Sequence, residues 1–201
     1  MLESEIKSRP KYPGLKPDLQ AKQNLMVADA GGSEAIADLA KKVDQEFLSR
    51  TTVILCRAGG NGTDPLERLK SLGITDIAVF PTIETVISRL DGVLDKALMS
   101  TRLYVAGTEP LIGLVEKTAM AHGVGHSSIY KEHRGSLKRR VQCVHCKGIT
   151  ENVTTNPVIC AHCGYSLLVR DHYSRRHAAF QGVRIDADAP GNIPEEKADY
   201  L

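Results

Sequence analysis

The chain has 201 residues, 42% of them apolar and 25% charged, which excludes collagen-like, mucin-like and disordered chains and suffices for one domain plus a small second one. Its 26 Lys and Arg stand against 24 Asp and Glu, so a formal charge of +2 provides no whole-chain field for nucleic acid or a membrane surface. The longest apolar runs, at 52–56 and 77–80, fall far short of the roughly 18 to 20 residues that a membrane helix needs. Residues 1–7 carry two Glu and no apolar stretch, unlike a Sec-type signal, so a cytoplasmic chain with reduced thiols is expected.

Residues 1–23 contain Pro10, Pro13, Gly14 and Pro17 without apolar periodicity and read as an extended arm. From Asn24 the chain alternates short apolar runs with helical spacing. Leu25 to Ala28 reads as a strand, and Ser33 as the cap of a helix that places Ile36, Leu39, Ala40, Val43 and Phe47 on one face. A second strand follows at 52–56. Asp64 and Pro65 open a short helix closed by Gly73. A third strand at 76–80 precedes a helix capped by Thr82, with Ile83, Val86, Ile87, Leu90 and Leu94 spaced by three and four. Leu103 to Ala106 reads as the fourth strand, and Thr108-Glu109-Pro110 opens a helix ending at Gly123. This alternation predicts a small doubly wound parallel α/β domain over about 24–134, with no other internal repeat.

Composition shifts at Gly135. Lys138, Arg139, Arg140, Arg170, Arg175 and Arg176 give a local basic excess, and Cys143-Val-His-Cys146 and Cys160-Ala-His-Cys163-Gly164 lie within it, separated by thirteen residues. Paired C-x-x-C turns at this spacing suit one tetrahedral ion. Later backbone N–H groups of each turn can point at its sulfurs, and Gly164 permits the geometry that follows the second pair. Short strands around the pairs predict a β ribbon of zinc-ribbon or rubredoxin-like type over 135–186, in which the ion supplies what a small core cannot. Four thiolates select zinc or a single iron, and the spacing of a plant-type two-iron cluster is absent. His145 and His162 sit inside the pairs as lesser competitors. Residues 187–201, with Asp188, Glu195, Glu196 and Asp199, read as an acidic tail.

Outside the cysteines the signals are weaker. Cys56, on an apolar strand, reads as core filling, and His122 and His126 flank a helix end where a His serves the helix dipole. Clustered Arg and Lys admit a nucleic-acid-binding zinc ribbon, but the ribbon offers only Tyr165, Tyr173 and Phe180 for base stacking. Asp171-His172 and Arg175-Arg176-His177 read equally as a contact for a partner or anionic cofactor edge and as a solvated loop.

Two resemblances extend this reading. The stretch Arg102-Leu-Tyr-Val-Ala-Gly-Thr-Glu-Pro110, the following helix and Ile129-Tyr-Lys-Glu-His133 resemble the end of the nicotinamide-binding lobe of ferredoxin-NADP reductase-like flavoenzymes. That family has a cysteine where this chain has Ala106-Gly107-Thr108, so its role near the nicotinamide does not carry over. Weak nucleotide-binding candidates are Gly31, Gly32, Ser33, Arg57, Gly107 and Thr108, with Arg57-Ala-Gly-Gly60-Asn-Gly62 a further flexible turn and Asp29 opposing a phosphate. A lapsed lobe kept for its surface is the favoured reading.

The run Gly135-Ser-Leu-Lys-Arg-Arg-Val-Gln-Cys-Val-His-Cys146, Val153-Thr-Thr-Asn156, Cys160-Ala-His-Cys-Gly164 and the stretch from Leu168 to Val183 resemble the A-type subunit of bacterial dimethylamine monooxygenases. The resemblance is close over about the last hundred residues and loose before them. It implies a complex that demethylates dimethylamine to methylamine and formaldehyde with NAD(P)H and oxygen, flavin, iron-sulfur and haem-type chemistry residing on reductase and catalytic partner subunits. The expectation is a noncatalytic metal-binding accessory subunit that docks or positions these partners, with a rubredoxin-like iron carrier as the alternative.

Overall fold

The protein is described by a computed structural model over residues 8–57, 64–125 and 128–201. The expected flexible turn at 58–62 and His126 lie outside the described residues. Two compact units divide the chain, Tyr12–Gly135 and a second comprising 8–11 with Ser136–Leu201.

In the first unit the three inner strands are largely buried on both faces, the pattern of a parallel sheet covered by helices. The strands are β1 (Gln23–Ala28), β2 (Thr51–Cys56), β3 (Asp76–Phe80), β4 (Thr101–Gly107) and β5 (Ile129–His133). All pair in parallel in the order β3-β2-β1-β4-β5. Helices α1 (Gly32–Ala40), α2 (Gln45–Ser49) and α3 (Pro65–Ser71) cover one face, where Met26, Ala28, Ile36, Phe47, Leu69 and Tyr104 pack together. Helices α4 (Ile83–Leu94) and α5 (Glu109–Ala121) cover the other, closing over Leu25, Val27, Ile54, Leu90, Val105 and Val115. Side-chain alternation along β1 therefore feeds two cores, and the sheet is wound on both sides.

Local signals account for most boundaries. Asp64 Oδ1 accepts from Leu66 N at 3.0 Å with Pro65 in the first turn, and Thr82 and Thr85 form a reciprocal capping box. The helix expected to run from Ser33 through Phe47 is broken in two. Its cause is Asp44, whose carboxylate accepts from Phe47 N at 2.9 Å and starts α2 as a fresh N-cap. Both pieces still contribute to one core, so the apolar face survives the break. Ser33 does not cap α1, because its hydroxyl donates to Ala30 O at 2.6 Å; Asp29 takes that place.

Residues 12–22 are strapped to the first unit. Tyr12 OH donates to Glu109 at 3.0 Å, Gly14 N to Lys131 O at 3.0 Å, and Asp18 accepts from Arg102 Nε at 2.6 Å. Gly14, with φ +91°, makes the turn between these contacts.

The second unit is built on β6 (Arg139–Cys143), β7 (Ile149–Val153), β9 (Val158–Ile159), β10 (Ser166–Ser174) and β11 (Ala179–Arg184), ordered β7-β6-β11-β10-β9. Within this sheet β6 and β11 pair in parallel and the other neighbours antiparallel. Val141, Leu167, Val169 and Phe180 form its small core with Cys143 and Cys160. Both ends of the described chain close onto it. Ser8 bridges to His172 and Arg9 pairs with Asp171 at 2.7 Å. At the other end β12 (Lys197–Ala198) pairs with β8 (Thr155–Asn156), and Tyr200 is buried. Arg139 lies between the rings of Phe180 and Tyr200, 3.9 and 4.0 Å from their centroids, and pairs with Asp171 at 3.1 Å.

Candidate metal centre

The two C-x-x-C turns converge. Cys143 closes β6 and Cys146 ends the turn after it, while Cys160 follows β9 and Cys163 precedes β10. The four Sγ atoms lie within 4.8 Å of one another, the Cys143–Cys163 pair at 3.8 Å and the Cys146–Cys160 pair at 3.7 Å. Four thiolates at about 2.3 Å from a tetrahedral ion stand about 3.8 Å apart, close to the two separations given, so the cluster could hold one metal ion. Cys143 and Cys160 are buried, whereas Cys146 and Cys163 are half-buried.

Each turn is shaped for this. Lys147 N donates to Cys143 O at 2.9 Å and Gly164 N to Cys160 O at 3.0 Å. Lys147 (φ 66°) and Gly164 (φ 75°) take the same left-handed conformation at equivalent positions after their pairs. Backbone N–H groups then reach the sulfurs: Gly148 faces Cys146, Tyr165 faces Cys163, and both His162 and Cys163 face Cys160. Gly148 also lets the turns close on each other, since a Cβ there would stand 2.4 Å from the His162 ring. Composition around the pairs gave no hint of this role for Gly148.

The thiols do not share protons evenly. Burial works against ionisation of Cys160, but N–H groups of Cys163 and His162 overcome it and hold that thiol at about 6. Cys163 receives an N–H from Tyr165, yet burial and the three neighbouring thiols push it up to about 12. Four sulfurs this close cannot all ionise without a cation among them, which is the electrostatic demand a metal satisfies.

Neither histidine joins the cage among the described residues. His162 Nε2 lies 2.9 Å from Ile149 O, and His145 packs edge-on against Tyr165 at 4.7 Å. Cys56 is fully buried within the α/β core. His122 sits at the end of α5 between Asp91 and Asp95, at 2.9 and 3.4 Å. Asp171 is committed to Arg9 and Arg139, which hold it below its usual range although burial alone would raise it.

The nucleotide candidates divide. Gly31, Gly32, Ser33, Gly107 and Thr108 come together at the carboxyl ends of β1 and β4, the neighbours at which strand order reverses. In such folds this crevice is where ligands bind. Arg57 follows β2 with its side chain 65% exposed and 3.9 Å from Asp64. At the crevice stands Asp29, 6% exposed. Its Oδ1 accepts from Gly32 N at 2.9 Å, and its Oδ2 from Thr108 N at 2.8 Å and Thr108 Oγ1 at 3.0 Å. Thr108 in turn begins α5 without a side-chain cap of its own. The carboxylate thus caps two helices at once, a role no local sequence rule assigns because Thr108 is distant in the chain.

No described helix is long and apolar enough to cross a membrane. The family model of the N-terminal domain of dimethylamine monooxygenase subunit DmmA-like proteins matches residues 4–129, and that of their C-terminal domain matches 140–183. A curated relative from Ectopseudomonas mendocina (strain ymp), the delta subunit of heme-dependent oxidative N-demethylase, is 27% identical over 183 residues, 91% of each chain. No solved structure gives a significant match.

Proposed function

Because the chain belongs to the dimethylamine monooxygenase subunit DmmA-like family, we propose that it is a metal-binding accessory subunit of a multicomponent oxidative N-demethylase. The observation that carries this is the four-thiol cage, whose geometry suits one tetrahedral ion, in a chain that aligns along nearly its whole length with the delta subunit of a heme-dependent N-demethylase. The complex would convert dimethylamine, oxygen, two electrons and two protons to methylamine, formaldehyde and water. The electrons come from NAD(P)H, and flavin, iron-sulfur and haem groups on cytoplasmic partner subunits carry them. This chain's part is to dock or position the reductase and catalytic subunits.

Cys143, Cys146, Cys160 and Cys163 would hold zinc, which cross-links the two turns and makes binding energy part of the folding energy of the second unit. The N–H groups of Gly148, His162, Cys163 and Tyr165 spread the excess negative charge left on four thiolates around a dication. Arg184 packs over Tyr165 at 4.5 Å beside the second turn, its charge paired with Asp186 at 2.7 Å.

A second reading, in which the same cage holds a single iron and passes electrons one at a time, is favoured by the partial exposure of Cys146 and Cys163. Electron exchange with a partner needs such an exposed edge, and a purely structural ion does not. Metal analysis with a visible spectrum on the purified protein separates the two. One zinc per chain and no colour supports the assembly role; one iron with thiolate charge-transfer bands that bleach on reduction places the chain in the electron path. Given dimethylamine, NAD(P)H and oxygen, the isolated chain should show no turnover, and formaldehyde release by it would overturn the accessory reading.

A further inference from the structure

We infer that Asp29 stands where the phosphate of a bound dinucleotide would stand, so that the α/β unit carries its own anion at the switch point and takes no nucleotide there. A doubly wound sheet offers anions one privileged place, the crevice beyond the strands at which order reverses, where free N–H groups at helix N-termini face outward. In this chain one backbone N–H at each of these two starts is already taken. Gly32 N at the start of α1 and Thr108 N at the start of α5 both donate to the Asp29 carboxylate, with the Thr108 hydroxyl as a third donor. These helices have 9 and 13 residues, and each presents its N-terminus to the same buried group.

The glycines that resemble a phosphate loop serve the carboxylate instead. Gly107 has φ +139°, and a Cβ there would stand 2.4 Å from Asp29 Oδ1. At Gly32 a Cβ would lie 1.9 Å from Ala106 O, so α1 is pressed against β4 with its N–H aimed at Asp29. Opposite Gly31, the position of a Cβ is already lined by Asp29 and the backbone of Gly135. Acidic residues also open both helices: Glu34, paired with Arg68 at 3.7 Å, lies in the first turn of α1, and Glu109, bonded to Tyr12 of the strap, in that of α5. A pyrophosphate approaching Gly32 N and Thr108 N would meet a buried carboxylate in its place. This inference is independent of which metal the second unit holds and of which partners the chain joins.

Titration of the full-length protein tests it, read by the amide resonances of Gly32 and Thr108 and by thermal melting. In the wild type, pyrophosphate or NADPH at about 5 mM should leave both amides unmoved and the melting temperature unchanged. Asp29→Ala should melt lower, and pyrophosphate at the same concentration should shift both amides and restore roughly 5 °C. If Asp29→Ala does not fold in plain buffer, refolding in pyrophosphate should recover it. Wild-type protein whose Gly32 and Thr108 amides respond to NADPH overturns the inference. So does a folded Asp29→Ala that ignores pyrophosphate, or an unfolded one that pyrophosphate fails to recover.

Discussion

Cys163 holds its proton far more strongly than Cys160, and the two are held in one turn by the same backbone. Removing either kind of ligand leaves three sulfurs around an ion that requires four. Cys143→Ser and Cys163→Ser should therefore each lose the metal and unfold the second unit while the α/β unit keeps its helical signal, as metal analysis and circular dichroism would show. An ion retained at full occupancy in either variant would exclude this ligand set. At the strap, a hydrogen bond from Arg102 lowers Asp18 below its usual value. A depressed carboxyl stabilises above its unfolded value of about 4 and loses that contribution as pH falls through the folded value. Asp18→Asn should cost about 1 kcal/mol at pH 7 and progressively less as pH falls below about 4 in urea melts of the α/β unit. The four cysteines were legible as a set because metal-ligand spacing is a local property. Asp29 was legible only as an obstacle, since its second partner, Thr108, is brought near by folding.

Strands and helices were read from the sequence more completely than their joints. The β1, β2, β3 and β4 runs announce themselves as short apolar stretches, whereas β5 was expected from a resemblance, and the split between α1 and α2 depends on whether Asp44 bonds its own chain or leaves the helix intact. Periodicity across the break is preserved, so the pattern itself cannot reveal it. Glycines in this unit make a paired test of position. Gly32→Ala drives a Cβ into Ala106 O and should destabilise the unit by about 3 kcal/mol, pushing α1 off β4. Gly92→Ala, in the middle of α4 with nothing within 4 Å of a new Cβ, should instead stabilise by about 0.5 to 1 kcal/mol. Thermal melts that rank the two variants the other way would contradict the close approach of α1 to β4.

The two units have separate cores, one made of apolar side chains on both faces of a sheet and one reliant on its cysteines. Prolonged treatment with a strong chelator should abolish the melting transition of the second unit and leave that of the first within about 2 °C, as calorimetry on the full chain can resolve. The basic and acidic character of the last seventy residues indicated a second body but not what completes it. Arg139 looked like one more surface cation; it is buried between Phe180 and Tyr200, residues far from it in the sequence.

That closure sets an order of events during synthesis. The α/β unit is finished once residue 135 has left the ribosome, and it can fold while the rest is still being made. The second unit draws on Ser8 and Arg9 at one end and on β12 and Tyr200 at the other, so its earliest and latest residues meet only after translation has passed position 200. All four thiols emerge before that moment. The cluster is therefore made before the unit that encloses it can close.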